Sequence, residues 1–303
     1  MYHLATLFPA LKQRTLLLSR DQVVLLLVAV NQFFLSLDTY LVHVLNGTIL
    51  LREWIPIGFG IIAGVILLLA GLIAIRRRDS AALLSMGVFI VSVLVGIAGA
   101  YFHFIRGIQP TAPVGSRVTL DLLAWAPPIL APFAFAGVGL MGMSAAWVEQ
   151  PADSGRLRIF GRIRSLPFSK TQAYLFYTCL GILVALVSSI LDHVRHGFEH
   201  PSFWIPTVTG IFATVVTLGL ALLTKPQRTD IGVYVAAMLL LIVTGVLGAW
   251  FHIEADLTAN SQVVIERFLR GAPVLSPLLF SNMGMIGLVV LLDPASDLRP
   301  TKK

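Results

Sequence analysis

The amino-acid sequence predicts an all-α integral membrane protein with eight transmembrane helices, arranged as two tandem, parallel-oriented four-helix repeats. Three observations carry this expectation. Hydrophobic residues make up 57% of the 303 positions and charged residues 12%, about half the charge of an ordinary soluble chain. The charges gather between apolar runs of about 20 residues, the length that crosses a hydrocarbon core of roughly 30 Å. The second half of the chain also repeats residue types of the first at a slowly drifting offset.

In chain order, residues 1–21 mix Leu4, Leu7, Phe8 and Leu11 with Lys12 and Arg14, as a segment lying at a membrane surface does. The run from Val23 to Leu45 is too long for a signal-peptide core and is read as a retained first span. The eight expected spans are 22–45, 56–75, 81–104, 124–147, 173–195, 205–223, 231–253 and 273–292. Pro56 and Pro206 open the second and sixth spans, where a missing N–H costs nothing, with Trp54 and Trp204 as interfacial anchors. Pro128, Pro132, Pro273 and Pro277 fall in the first turns of the fourth and eighth spans and mark an irregular start to each. Asn31, Gln32 and Asn282 read as interhelical hydrogen-bond partners.

Sixteen of the 22 Lys and Arg lie on one set of loops and termini; Arg52, Arg106, Arg117, Arg195, Arg267 and Arg270 lie on the other. Positive-inside bias therefore places both termini in the cytoplasm, in a multi-pass protein of a bacterial cytoplasmic membrane. The same bias accounts for the net charge of +7 without a nucleic-acid partner. The expected organisation is a first repeat over 1–148, a basic cytoplasmic linker over 149–172, and a second repeat over 173–303.

The halves correspond residue by residue. An offset of 150 carries His43 to His193 and Trp54-Ile55-Pro56 to Trp204-Ile205-Pro206. An offset of 149 carries Gly96, Gly99 and His103 to Gly245, Gly248 and His252, and one of 145 carries Asp121, Pro128 and Pro132 to Glu266, Pro273 and Pro277. Loop deletions after a tandem duplication produce such drift. Each unit holds four spans, an even number, so the copies share one orientation.

Cys179 is the only cysteine, which excludes internal disulfides, Cys-based zinc sites, Fe–S clusters and C-x-x-C-H haem attachment. No nucleophile elbow, Walker loop or dinucleotide fingerprint occurs, so no reaction is named. Polar positions that repeat are the informative ones. His43 and His103 fall at one depth near the extracytoplasmic edge, and His193 and His252 do the same in the second half. Asp121 and Glu266 return to that side.

Two such histidines can hold b-type haem, with Gly96/Gly99 and Gly245/Gly248 leaving room for the macrocycle. That is the leading reading, and it implies electron transfer with an extracytoplasmic redox partner. Two His and a carboxylate also suit iron, copper, zinc or manganese. The second half adds Asp192, His196 and His200 at i, i+4 and i+8 of a continuing helix. Asp38, one turn before His43, is the acid inside a span and is expected to orient that histidine or relay a proton. The alternative has no cofactor: an accessory subunit of a membrane complex whose histidines are interfacial rings at helix ends.

Overall fold

The computed structural model describes residues 3–13, 18–45, 49–74, 77–108, 110–119, 121–122, 128–159, 161–258 and 273–295. Eight α-helices organise them: α1 (Arg20–Leu45), α2 (Trp54–Ile73), α3 (Arg78–Gly107), α4 (Phe133–Ala146), α5 (Lys170–Val194), α6 (Trp204–Leu222), α7 (Arg228–Thr258) and α8 (Leu278–Val290). Among the described residues six helices, α1 to α3 and α5 to α7, are long and apolar enough to cross a membrane. Outward-facing Leu, Ile and Val cover them, as lipid contact requires, while one apolar core runs through both halves.

The fourth and eighth helices are shorter than expected, 14 and 13 residues, which at 1.5 Å per residue is about 20 Å. The prolines are the physical reason. Without N–H groups, Pro132 and Pro277 cannot bond to the carbonyls four residues back, so each becomes the cap and its helix starts one residue later. Turn-type bonds precede them in both places: Ala131 N to Pro128 O at 3.2 Å, and Ser276 N to Pro273 O at 3.2 Å.

Helix contacts run α1–α2, α2–α3, α3–α4 and α1–α4, and likewise α5–α6, α6–α7, α7–α8 and α5–α8, with α4–α5 and α1–α8 joining the two sets. Small residues set the closest approaches. A Cβ on Gly96 would stand 2.7 Å from Ala136 N, and one on Gly245 2.6 Å from Ser281 N. Polar bridges add specificity: Gln32 donates to Ser92 at 2.7 Å, and Asn282 on α8 to Asn31 on α1 at 2.6 Å.

Helices α1 and α5 start alike. Ser19 and Gln22 exchange reciprocal backbone–side-chain bonds, as do Ser169 and Gln172, a capping box at each N-terminus. The residues between them cross over. Arg20 donates to Thr171 Oγ1 (2.6 Å), and Lys170 donates to Asp21 Oδ2 (2.5 Å). Tyr174 OH also donates to Asp21, and the Lys170 ammonium bonds Trp147 O. Lys170 and Asp21 are each 1% exposed.

The segment expected as a linker, 149–172, carries with Val148 a three-stranded antiparallel sheet that the sequence reading did not include: β1 (Val148–Glu149), β2 (Arg156–Ile159) and β3 (Arg162–Ser165). The buried Glu149 carboxylate organises it by accepting the N–H groups of Asp153, Gly155 and Lys170 at 2.7–3.0 Å. Gly155 holds φ at +72°, with carbonyls of Leu166 and Phe168 2.8 Å from where a Cβ would sit. The N-terminal segment is tied to the end of α8: Leu4 N bonds Leu291 O, and Ala5 is buried.

Asp21→Asn strands the Lys170 charge and is expected to cost about 3–5 kcal/mol, whereas the double variant D21L/K170M loses less. Unfolding of the detergent-purified protein measures both. Gly96→Ala must push α3 from α4, at about 1–3 kcal/mol. Gly87→Ala, with nothing within 4 Å, is expected to leave the melting temperature unchanged or raise it.

Candidate functional site: a histidine pair at one end of the bundle

The C-terminal ends of α1 and α3 bring His43 and His103 together, with ring centroids 6.2 Å apart. Nδ1 of His43 faces Thr39 O at 2.7 Å, one turn back on its own helix, and Nδ1 of His103 faces Pro128 O at 2.9 Å. A carbonyl oxygen only accepts. Each Nδ1 therefore carries the proton, and in the neutral ring Nε2 keeps its lone pair. Metal-ligating histidines are commonly fixed in this way.

Glu53 adds a carboxylate at the start of α2. It accepts Leu50 N–H at 2.8 Å, lies 3.8 Å from Arg106 Nη1, and acts electrostatically on His103. Asp38 lies within α1, about one turn before His43. Glu53 escaped the sequence reading because its counterpart at an offset of 150 is Phe203, not an acid; the mismatch itself was the available signal.

The second half of the chain shows part of the same arrangement. His252 Nδ1 faces Pro273 O at 3.0 Å, matching His103 on Pro128. His193 instead stacks flat on Phe203, with centroids 4.7 Å apart and planes 7° apart. Asp192 pairs with Arg195 at 3.5 Å.

The expected i, i+4, i+8 row of Asp192, His196 and His200 does not form. Helix α5 ends at Val194, and Gly197 and Phe198 turn the chain with φ of +62° and +52°. His196 and His200 are exposed, and His200 caps the following turn by accepting from Ser202 N–H. Asp121 is exposed and makes no hydrogen bond or ion pair to either His43 or His103. Glu266 lies outside the described residues. Among the described residues, no three His, Cys, Asp or Glu side chains converge as a metal site.

The glycines expected to make room for haem are filled by protein. Pro132 O and Ala136 N cover Gly96, Pro132 Cβ covers Gly99, and Pro277 and Ser281 cover Gly245 and Gly248 in the same manner. The faces of these four glycines are therefore helix–helix contact. A cavity of about 210 Å³ lies nearby, between Pro128–Leu130 and Ser188, Leu191, Asp192 and Arg195. Neither His43 nor His103 lines it.

Comparison with protein-family models, with curated proteins and with solved structures finds no match for this chain.

His103→Ala removes the donor to Pro128 O and is expected to lower stability by about 1 kcal/mol. His252→Ala does the same at Pro273. Thermal unfolding of the two variants side by side checks this, and melting temperatures equal to that of the parent would remove the proposed tie between α3 and α4.

Proposed function

We propose that this chain is a tandem duplication of a four-helix membrane unit, with both termini cytoplasmic and all eight helices at membrane depth. Its functional site is the His43–His103 pair on the extracytoplasmic side, a ligand pair for one transition-metal ion. Paired helix contacts support the duplication, as does the crossover in which residue 20 bonds residue 171 while residue 170 bonds residue 21. Those positions exchange under the 150-residue offset, which is how a two-fold axis between α1 and α5 would relate them. The positive-inside distribution of Lys and Arg supports the orientation.

A single observation carries the metal reading: two imidazoles side by side, each with Nδ1 tied to a carbonyl and Nε2 left as the donor. Neutral imidazole suits zinc, copper or iron, with water completing the coordination beyond the two rings. Metal takes precedence over haem because the glycine faces are occupied. The second half is the degenerate copy, with Phe203 in the place of Glu53 and stacked on His193.

An accessory subunit without a cofactor is the second reading. The repeated His–Pro carbonyl bond favours it, because holding α3 to α4, and α7 to α8, is reason enough for His103 and His252 to recur.

Elemental analysis separates the two. Purified protein loaded with Zn(II), Cu(II) or Fe(II) and then desalted is expected to retain about one ion per chain. His43→Ala is expected to lose it, and His193→Ala to keep it. A folded preparation that retains no ion, or a His43→Ala variant that retains it in full, overturns the metal reading in favour of the accessory one.

A further inference from the structure

The sheet between the two halves leaves one strand overhanging the protein. Its first strand is anchored at the end of a membrane-length helix, because Glu149 accepts the backbone N–H of Lys170, the first residue of α5. The pairing register then places Glu149, Leu157 and Arg164 in one row on one face, and Ile159 and Arg162 in the next row of that face. Glu149 and Leu157 are each 4% exposed, whereas Arg162 and Arg164 are exposed. The face that packs inward under β1 and β2 is thus uncovered under β3. Leu166 continues the face, its N–H bonded to Gly155 O at 2.8 Å, and is itself exposed.

The uncovered part of this face continues a buried one that is tied to the first residue of α5. At the end of a spanning helix such a surface would lie at the level of the lipid headgroups. We propose that Arg162 and Arg164, on the inward face of β3, bind the phosphodiester groups of anionic phospholipids in the adjacent leaflet. The inference rests on α5 spanning the membrane and is independent of the histidine pair. Charge complementarity names the occupant. Planar guanidinium forks match phosphate oxygens with two parallel hydrogen bonds, and a leaflet rich in anionic lipid attracts basic residues held at its surface. Exposed Leu166 beside the two arginines suits the boundary between headgroups and acyl chains. Arg156 and Arg158 lie on the opposite face of the sheet, so the proposal distinguishes two pairs of arginines on one hairpin.

The test is native mass spectrometry of the full chain in detergent, titrated with phosphatidylglycerol or with phosphatidylcholine of the same acyl chains. The parent protein is expected to take up phosphatidylglycerol more tightly. R162Q/R164Q is expected to lose that preference, by about fivefold in affinity for each arginine. R156Q/R158Q carries the same change in net charge and is expected to retain it. Thermal unfolding confirms that both variants are folded before they are compared. Equal losses in the two variants overturn the proposal, because diffuse charge then suffices. Equal uptake of both lipids by the parent also overturns it and turns the surface toward an acidic protein partner instead.

Discussion

The buried exchange between the starts of α1 and α5 is the constraint on which the rest of the structure depends. Lys170 and Asp21 are almost completely removed from solvent, and an unpaired charge there would cost several kcal/mol. The pair is therefore tolerable only while α1, α5 and the end of α4 hold one another in register. Arg20 on Thr171, Tyr174 on Asp21 and Lys170 on Trp147 O complete that register. Thr171 in turn donates to Asp153 in the sheet, and Glu149 holds the Lys170 backbone. The sheet thus belongs to the junction between the halves, and a flexible tether of the same length could not supply these acceptors.

At the other end of the bundle, proline and histidine are coupled. Pro132 and Pro277 shorten α4 and α8 by withholding a donor from Pro128 O and Pro273 O. His103 and His252 give those carbonyls a second donor besides the turn. The consequence for chemistry is tautomeric, since each ring so held turns its lone pair to Nε2. In the first half that lone pair has His43 beside it. In the second half the comparable ring, His193, is spent on aromatic stacking with Phe203. Equal sequence spacing therefore leads to two chemically different ends.

Hydropathy and charge placement made the helical membrane architecture legible, because runs of apolar residues bounded by Arg and Lys have few other solutions in water or lipid. The pairing of His43 with His103 was legible as a shared depth, and Asn31 with Asn282 as buried amides needing partners. The sheet was not read, although Arg-Leu-Arg-Ile and Arg-Ile-Arg-Ser alternate with a period of two; four arginines in ten residues resemble a solvated loop. The capping boxes at Ser19–Gln22 and Ser169–Gln172 also stood in the sequence at an offset of 150. Their meaning depends on which residues between them cross over.

The sequence by itself determined where the apolar helices lie, which end of the bundle carries the histidines, and which residue types recur between the halves. These are one-dimensional properties, set by periodicity, length and offset. Only the tertiary structure decided that α5 stops at Val194 and scatters Asp192, His196 and His200, because a left-handed turn at Gly197 and Phe198 is a backbone event that spacing does not reveal. Only it placed neighbouring protein atoms against the four glycines, because an absent Cβ does not say in one dimension what fills the space beside it.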